Sequence, residues 1–587
     1  MTDENTPDET TDEHTPDETP DQTSSHSGST AADKGSTARA RRREAALRRL
    51  DKKGPSKRAA VVFGLGAVAA VAAITAAGSL WAPDAPDMNT AAQAAQLPAT
   101  PTYSVCPGMP MLPEGSEDGG DLDFSPDSSD AVSALAVAAT SDLAGNIPGI
   151  SYYATETDPA EQPSTTQITE SLDEETQQGP PATAATDGTV ANNAHYEVIS
   201  DPDESGLPIA LATEPVGGSP GTAAASAQYA ATDGDLAGMS VAACGSAAHQ
   251  HWLPGATTTT GTTSVVTVSN PSATNSTVNL TVYGEDGPID ASGASGIVLA
   301  PGQTQSMLVA GLAPGENSVA VQVSSSGGPV SADIQQHRLD GIVPAGVDTL
   351  QAATTGSNVV IPGLTIDDDA ADIADGSGLD GQSPTLHVAS TGSAASATIT
   401  LRGPDGAVDL PTEASAIELA PGATTTVDLS GVEPGTYSVE IDADATVAAS
   451  ATSLAYNPAG DNEDATGNTS AIDTAYMPST APIRGETMVA LPSVAEPESQ
   501  LVLTSSEDAT VTITPVDAEG QMGEEFTQEI AADSAVTVDE EASAYLVETG
   551  SNAVHAGVMV DSSAGISAMP VNTVSETGSG LPVRLGY

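Results

Sequence analysis

An internal repeat constrains the fold of this chain more than any other feature of its sequence. Two stretches that alternate apolar and polar residues each end in an Asp-Gly turn, the first at residues 284–287 and the second at residues 403–406. The tetrapeptide Leu-Ala-Pro-Gly likewise occupies residues 299–302 and recurs at residues 419–422. A period of two residues, β-branched side chains and frequent Asp-Gly and Pro-Gly turns are typical of antiparallel strands. The repeat therefore predicts tandem β-sandwich modules of roughly 100 residues each.

A weaker third copy begins at Leu501, and a β-rich region precedes the first copy. The fold class expected is mostly β, with Ig-like or fibronectin-like sandwich modules that follow one another as an extended rod. Aromatic residues make up only 3% of the chain, so Val, Leu, Ile and Ala must form the cores, with Thr, Ser, Asp and Glu on the outer faces. The predicted boundaries are a β-rich domain with an acidic insertion loop at residues 104–254, sandwich repeats at residues 256–355, 356–480 and 485–575, and a C-terminal tail at residues 576–587.

The charge of the chain is very unevenly distributed. Fifteen Lys and Arg residues stand against 80 Asp and Glu residues, which gives a formal net charge of -65. Eleven of the basic residues lie between Lys34 and Arg58, and the remaining four are Arg338, Arg402, Arg484 and Arg584. A nucleic-acid partner is not expected, because binding a polyphosphate needs a basic face.

An uncharged run of 23 residues at positions 59–81 is long enough to cross a bilayer as one helix. Eleven Lys and Arg residues precede the run and none follows it closely, so the positive-inside rule places the N-terminus in the cytoplasm and the acidic remainder outside the cell. The chain is thus predicted to be a single-pass, signal-anchored cell-membrane protein. Cleavage of the run as a signal peptide is the alternative, and it would make the protein secreted.

The segments that flank this run have distinct compositions. Residues 1–36 are a low-complexity acidic stretch that predicts a disordered cytoplasmic tail. Residues 37–58 form a basic juxtamembrane segment, which either binds anionic lipid head groups or serves only to set the topology. Residues 82–103 are rich in Ala, Pro, Thr and Gln and predict a spacer. The lipid bilayer is therefore one expected partner, through the helix and its basic flank.

The two cysteines, Cys106 and Cys244, both lie in the part predicted to be extracellular, where disulfides persist. A disulfide between them is the favoured prediction. Two free catalytic thiols are the alternative, which would require a nearby histidine such as His249 or His251. This pair of histidines is also half of a metal site, but no carboxylate or cysteine completes it at a recognisable spacing, so no metal ligand is assigned.

Two other patterns resemble functional motifs. The pentapeptide Gly-Gly-Ser-Pro-Gly at residues 217–221 matches the Gly-x-Ser-x-Gly elbow of serine hydrolases, but Pro220 has no N–H to donate to an oxyanion, so the match is interpreted as accidental. Acidic clusters at residues 117–123, 367–375 and 461–464 could bind calcium, although none fits the twelve-residue calcium loop. Solvated acidic loops are the favoured interpretation of these clusters.

Several short motifs support a resemblance to a known family. They are Asp-Leu-Ala-Gly at residues 235–238 followed by Cys244, Trp-Leu-Pro-Gly at residues 252–255, Val-Ser-Asn-Pro at residues 268–271 and Val-Tyr-Gly at residues 282–284. Over roughly residues 100–575 the chain resembles an uncharacterised actinobacterial family of envelope proteins, the domain of unknown function 5719. The resemblance implies an envelope location and tandem all-β modules, and it implies no activity.

These features together favour a non-enzymatic structural or interaction protein of the cell envelope, without a cofactor. A cell-wall polymer or another envelope protein is the expected partner, and the sequence leaves the oligomeric state open. The alternative is an adhesive or cell-wall-glycan-binding ectodomain, with or without calcium. Sugar sites usually present exposed aromatic platforms, and Trp252 is the only tryptophan beyond Trp81.

Overall fold

The computed structural model describes residues 99–113, 127–158, 163–181, 193–203, 205–367, 383–408, 410, 414–456 and 472–572. Strands dominate, with 59% of the described residues in strands and 2% in helix, which confirms the mostly-β prediction. The predicted tail, basic segment and membrane helix at residues 59–81 lie outside the described residues, as does most of the spacer. Among the described residues, no helix is long and apolar enough to span a bilayer.

The first module contains nine strands in two antiparallel sheets and one short helix, α1 (Glu174–Gln178). Its strands are β1 (Thr102–Cys106), β2 (Val132–Thr140), β3 (Ile150–Ala154), β4 (Thr166–Gln167), β5 (Ala194–Ser200), β6 (Ile209–Thr213), β7 (Ala223–Ala231), β8 (Gly238–Ala243) and β9 (Gly245–Ser246). One sheet has the strand order β4-β3-β6-β1-β9 and the other has the order β5-β2-β7-β8.

The second module also consists of two antiparallel sheets, and one turn of 3-10 helix (Val309–Gly311) follows its sixth strand. Its strands are β10 (Gln250–Ala256), β11 (Thr262–Ser269), β12 (Ser276–Gly284), β13 (Gly287–Ile289), β14 (Ser295–Leu299), β15 (Thr304–Leu308), β16 (Val319–Gly327), β17 (Ser331–Asp340) and β18 (Val343–Leu350). The sheets have the orders β10-β16-β12-β13, with β14 beside β12, and β15-β11-β17-β18.

The third module is a single eight-stranded sheet, because its longest strand contributes to both layers. Its strands are β19 (Gly356–Ile366), β20 (Thr385–Ser390), β21 (Ala395–Gly403), β22 (Gly406–Val408), β23 (Ala416–Leu419), β24 (Thr424–Asp428), β25 (Gly435–Tyr456) and β26 (Ile472–Pro478). The order is β22-β21-β25-β20-β24, with β19 and β26 paired to β25 and with β23 paired to β21.

The fourth module returns to two separate antiparallel sheets. Its strands are β27 (Glu486–Ala490), β28 (Glu498–Ser505), β29 (Ala509–Val516), β30 (Phe526–Ile530), β31 (Ser534–Val538), β32 (Ala544–Thr549), β33 (His555–Ser562) and β34 (Gly565–Pro570). The sheets have the orders β27-β32-β29-β30 and β31-β28-β33-β34.

One edge strand of each module is buried at a common centre. These four inner strands, β8, β18, β26 and β34, contact one another in a cycle, and the fourth strand contacts the first. Each is the edge strand of its own sheet, so the four sheets are arranged radially about the inner strands. Radial repetition of this kind protects sheet edges from solvent.

A second set of contacts closes the same cycle. The first strand of a module lies on the inner sheet of the next one: β10 contacts β20 and β25, β19 contacts β28 and β33, and β27 contacts β2 and β7 of the first module. The first module reaches the second through Met111, whose N–H donates to Gln335 Oε1 at 2.9 Å and whose carbonyl accepts from Gln335 Nε2 at 2.8 Å.

This closure corrects two expectations from the sequence. An extended rod would keep the fourth module away from the first, whereas here they are in contact, so the expectation of a rod was wrong. The sequence also predicted that each sheet would have one buried face and one polar, solvent-exposed face. The sheets that contain the four inner strands are instead covered on both faces. Small side chains allow that approach: Ala136 and Ala138 of the first module are buried against Met488 and Ala490 of the fourth. The module boundaries derived from the sequence remain a prediction.

Candidate functional site

One carboxylate joins all four inner strands. Asp473, on β26, is 1% exposed. Its Oδ2 accepts the backbone N–H of Met239 at 2.8 Å and of Ile566 at 3.0 Å, and its Oδ1 accepts that of Val347 at 3.1 Å and of Thr474 at 2.9 Å. The three long-range donors belong to β8, β34 and β18. We call Asp473 and these three donors the hub.

Three glycines make room for the Asp473 carboxylate. Gly238, Gly346 and Gly565 each precede one of the donating residues, and their φ values are +142°, +107° and +147°. A Cβ atom on them would lie 2.7, 2.9 and 1.9 Å from the nearest Asp473 oxygen. Only glycine combines this backbone with such close approach.

The sequence carries a signal for the hub that is absent from the motifs described above. Glycine, an apolar residue and Asp or Ser recur within three inner strands, at residues 238–240, 346–348 and 565–567. The third module has Ile472 and Asp473 at the equivalent positions. A tripeptide this short does not by itself predict a shared site, because only the topology shows that the four strands meet.

A second buried carboxyl, Asp348 on β18, lies beside the hub and is fully buried. Its Oδ2 accepts the N–H of Tyr476 at 2.8 Å, and its Oδ1 accepts the hydroxyl proton of Ser567 at 2.9 Å. Burial raises the pKa of Asp348 well above its usual value. Burial also raises the pKa of Asp473 to about 8, against the opposing effect of its four N–H donors.

A polar cavity of about 260 Å³ lies between the second and third modules, next to Asp348. Its walls come from both modules and are mainly Thr and Ser hydroxyls, side-chain amides, two imidazoles and one guanidinium. The residues that matter most for its chemistry are Thr262, Gln336, His337, Arg338, His387 and Tyr476. We call this space the polar cavity.

The imidazoles of the polar cavity are neutral near pH 7, because burial lowers the pKa of both His337 and His387 to about 4. His387 is hydrogen-bonded, with its Nε2 3.2 Å from Thr452 Oγ1. His337 Nδ1 and Thr262 Oγ1 are buried without a hydrogen-bond partner among the described residues. Buried polar atoms are usually paired, so these two mark a place where the protein leaves hydrogen-bonding capacity open.

Arg338 is half-buried at the wall of the polar cavity and forms no salt bridge with a carboxylate of the described residues. Arg402 behaves differently, since its guanidinium pairs with Glu440 and, at 3.0 Å, with Asp533. A guanidinium without a carboxylate partner can donate hydrogen bonds to an oxyanion.

A second cavity of about 110 Å³ contains a buried carboxyl, Asp333, with His251 and Gln351 in the same wall. Asp333 is 7% exposed, and burial raises its pKa to about 7. The His251 ring is also buried, and its Nε2 lies 2.7 Å from the Val330 carbonyl oxygen.

The cysteine prediction agrees with the structure, in which Cys106 and Cys244 form a disulfide. The two histidines proposed as half of a metal site do not converge: His249 is exposed beside Ser325, whereas His251 is buried. Among the described residues, no group of three or more His, Cys, Asp or Glu could hold a metal ion.

Three other kinds of candidate came from the sequence: the serine-hydrolase motif, the acidic clusters and the tryptophan. Ser219 lies in a turn that leads into strand β7 rather than into a helix, which is not the setting of a hydrolase nucleophile. The acidic clusters at residues 117–123 and 461–464 lie outside the described residues, and of the cluster at 367–375 only Asp367 is described. Trp252 is buried and stacks on Tyr283 with ring centroids 5.0 Å apart, so it offers no exposed platform for a sugar.

The fold and these sites define an all-β protein of four modules closed about a buried carboxylate. The sequence profile of a family of unknown function (DUF5719) matches residues 198–541, more than half of the chain, and the protein belongs to this family. No curated protein matches the chain.

Among solved structures, the chain has a weak similarity to dimeric latent PorU from Porphyromonas gingivalis. The two are 10% identical with a TM-score of 0.11, and the alignment covers 60% of this chain. The chain spans about a third, 32%, of PorU, and a similarity this low carries no argument about fold or function.

Proposed function

We propose that the protein is a non-enzymatic interaction protein of the cell envelope, anchored by one helix at residues 59–81 with its N-terminus in the cytoplasm. In this proposal the four Ig-like or fibronectin-like modules lie outside the cell, where they act as a rigid frame for binding a partner. Loops at the ends of such modules are the usual place for partner contacts.

The observation that carries the proposal is the closure of the four modules about Asp473. The Asp473 carboxylate bonds to strands of the three other modules, so the loops of the four modules are held at constant separations. Such a rigid frame is better suited to recognising a partner than to acting as a flexible tether. The side chains that could have formed a thiol catalytic site have structural partners instead. Cys106 and Cys244 form a disulfide, and His251 Nε2 lies within hydrogen-bonding distance of a backbone carbonyl oxygen. A disulfide also favours an oxidising compartment.

The topology can be tested with one epitope tag before residue 1 and another after residue 587. Protease treatment of intact cells should remove the C-terminal tag and leave the N-terminal tag intact. Val71→Asp, which places a charge in the uncharged run, should move the protein out of the membrane fraction, while the matched change Ala94→Asp should not. Protection of both tags in intact cells would refute the proposed location.

A glycan-binding ectodomain is the second candidate, and the polar cavity is the observation that favours it. Binding of the full-length chain to purified cell wall, with and without a chelator, tests this candidate. Retention that the chelator abolishes would support a calcium-dependent adhesive role, and retention that it leaves unchanged would support direct glycan binding. Absence of retention in both conditions would exclude cell-wall glycan as the partner.

A further inference from the structure

The polar cavity differs in kind from the rest of the interface between the second and third modules. Elsewhere that interface is filled by Trp252, Tyr283 and the small side chains Ala389 and Ala448. The polar cavity is instead surrounded by groups that can donate or accept hydrogen bonds, and two of them, His337 Nδ1 and Thr262 Oγ1, have no partner in the described protein. Apolar packing would remove such groups, so their presence indicates a polar occupant.

The charge of that occupant follows from Arg338. The cavity wall has one guanidinium that no described carboxylate neutralises. A single guanidinium binds one carboxylate in a planar, two-point arrangement. No second Lys or Arg lies in the cavity wall, so a dianion would leave one negative charge there without a cationic partner. A monoanion is therefore favoured over a phosphate ester.

The size and remaining chemistry of the cavity define the rest of the ligand. A volume of about 260 Å³ lies just below the usual range of roughly 300–1,000 Å³ for small-molecule sites, which suits a compact molecule. Thr385, Thr426, Thr452 and Ser383 place hydroxyls around the space, and hydroxyls both donate and accept. Such a wall complements a ligand that is itself rich in hydroxyl groups.

We propose that the polar cavity binds a small polyhydroxylated monocarboxylate of the sugar-acid class, with Arg338 pairing its carboxylate and the wall hydroxyls and imidazoles bonding its hydroxyl groups. This inference rests on the proposed role as a binding protein, and it does not depend on where in the cell the protein lies.

The test is ligand-observed NMR titration of the purified full-length chain in detergent with four probes. Glucuronate carries both recognition elements, glucose carries only hydroxyls, acetate carries only the carboxylate, and glucose 6-phosphate replaces the carboxylate by a dianion. Glucuronate should bind at least tenfold more tightly than each of the other three. No binding of glucuronate, or equal binding of glucose, would overturn the proposal, and tighter binding of glucose 6-phosphate would overturn the monocarboxylate assignment.

Charge-matched variants assign the binding to Arg338. Arg338→Gln should weaken glucuronate binding at least tenfold and bring it to the level of glucose, while Arg338→Lys should retain part of the affinity. Arg484 is exposed and does not line the cavity, so Arg484→Gln removes the same charge and should leave binding unchanged. Thermal unfolding of each variant shows whether a loss of binding reflects a loss of fold.

The outcomes separate this inference from the proposed function. Undiminished glucuronate binding by a folded Arg338→Gln variant would refute the site. Failure of all four probes, with the C-terminal tag still removed from intact cells, would refute the ligand class while leaving the extracellular interaction role in place. Glucuronate binding in a chain whose tags are both protected would refute the location and support the site.

Discussion

The carboxylate of Asp473 accepts the backbone N–H of Met239 at 2.8 Å, although 234 positions separate the two residues in the chain. The bond joins the third module to the first, and the same carboxylate reaches Val347 in the second module and Ile566 in the fourth. Because all three donors are buried with it, the hub can be broken only if several modules separate. We therefore expect the described modules to unfold cooperatively.

Replacing Asp473 by Ala should cost roughly 3 kcal/mol or more of the free energy of unfolding. The change leaves four buried N–H groups without this acceptor, and each unsatisfied buried donor costs about 1–3 kcal/mol. Denaturant unfolding measures the effect, with the exposed turn residue Asp405 replaced by Ala as the control. Equal stability of the two variants would mean that the hub is not a principal source of stability.

Gly565→Ala should destabilise the protein by roughly 2 kcal/mol or more, because the new methyl group meets the Asp473 carboxylate and the backbone has a positive φ. Gly431→Ala is the matched control, since a Cβ atom there has no neighbour within 4 Å. Thermal unfolding should show a clear decrease in Tm for the first variant and little change for the second. A similar decrease in both would indicate that the close approach to Asp473 is irrelevant.

Stability should depend on pH through the buried carboxyls and imidazoles. Burial raises the pKa of Asp333 to about 7 and of Asp473 to about 8, so the folded state retains protons that the unfolded state has already released. Each carboxyl contributes stability that is present below its unfolded pKa of 3.8 and lost as the pH rises through its folded pKa. Burial lowers the pKa of His337 and His387 to about 4, and their contribution is lost as the pH falls from 6.5 towards that value.

The two effects oppose each other below pH 6.5, whereas above it only the carboxyls act. The free energy of unfolding should therefore decrease between pH 6.5 and about pH 8, which denaturant titrations at the two pH values can measure. Asp333→Asn should remove part of this decrease, and replacement of the exposed Asp286 by Asn should not. A free energy that stays constant or increases over this interval would contradict the prediction.

Arg402 tests the contact between the third and fourth modules. Its side chain is 2% exposed and bonds Glu440 of its own module and Asp533 of the next. Arg402→Gln leaves Glu440, which is 16% exposed, without a cationic partner and should destabilise the protein by roughly 3–5 kcal/mol. Asp533 is 60% exposed, so Asp533→Asn should cost at most about 1 kcal/mol. Equal effects in denaturant unfolding would show that burial does not govern this pair.

Loss of the disulfide should destabilise the first module. Cys106 and Cys244 are 138 positions apart, and removal of a native cross-link typically costs roughly 2–5 kcal/mol. The double variant Cys106→Ser, Cys244→Ser should therefore unfold at lower denaturant concentration than the oxidised wild type. Reductant should lower the stability of the wild type and leave the variant unchanged, and a wild type that does not respond to complete reduction would contradict the prediction.

Local patterns in the sequence were sufficient for the secondary structure and the module repeat. The turns at residues 284–287 and 403–406 and the alternation before them depend on neighbouring residues only, so they are visible without a structure. The disulfide could also be predicted from the sequence, because Cys106 and Cys244 are the only two cysteines and allow a single intramolecular pairing. The membrane helix at residues 59–81 remains a prediction from composition and flanking charge.

The arrangement of the modules and both buried sites were decided by tertiary structure alone. The sequence around Asp473 gives no indication of its role, because its three long-range hydrogen-bond donors lie on strands of three other modules. Arg338 is one of only 15 basic residues in the sequence. Its place in the polar cavity depends on residues of β17 in the second module and of β20 and β25 in the third lining the same space. Strand formation depends on the alternation of apolar and polar residues over a short range. Closure of the four modules into a ring depends on which buried sheet faces pack together, and local sequence patterns do not specify this.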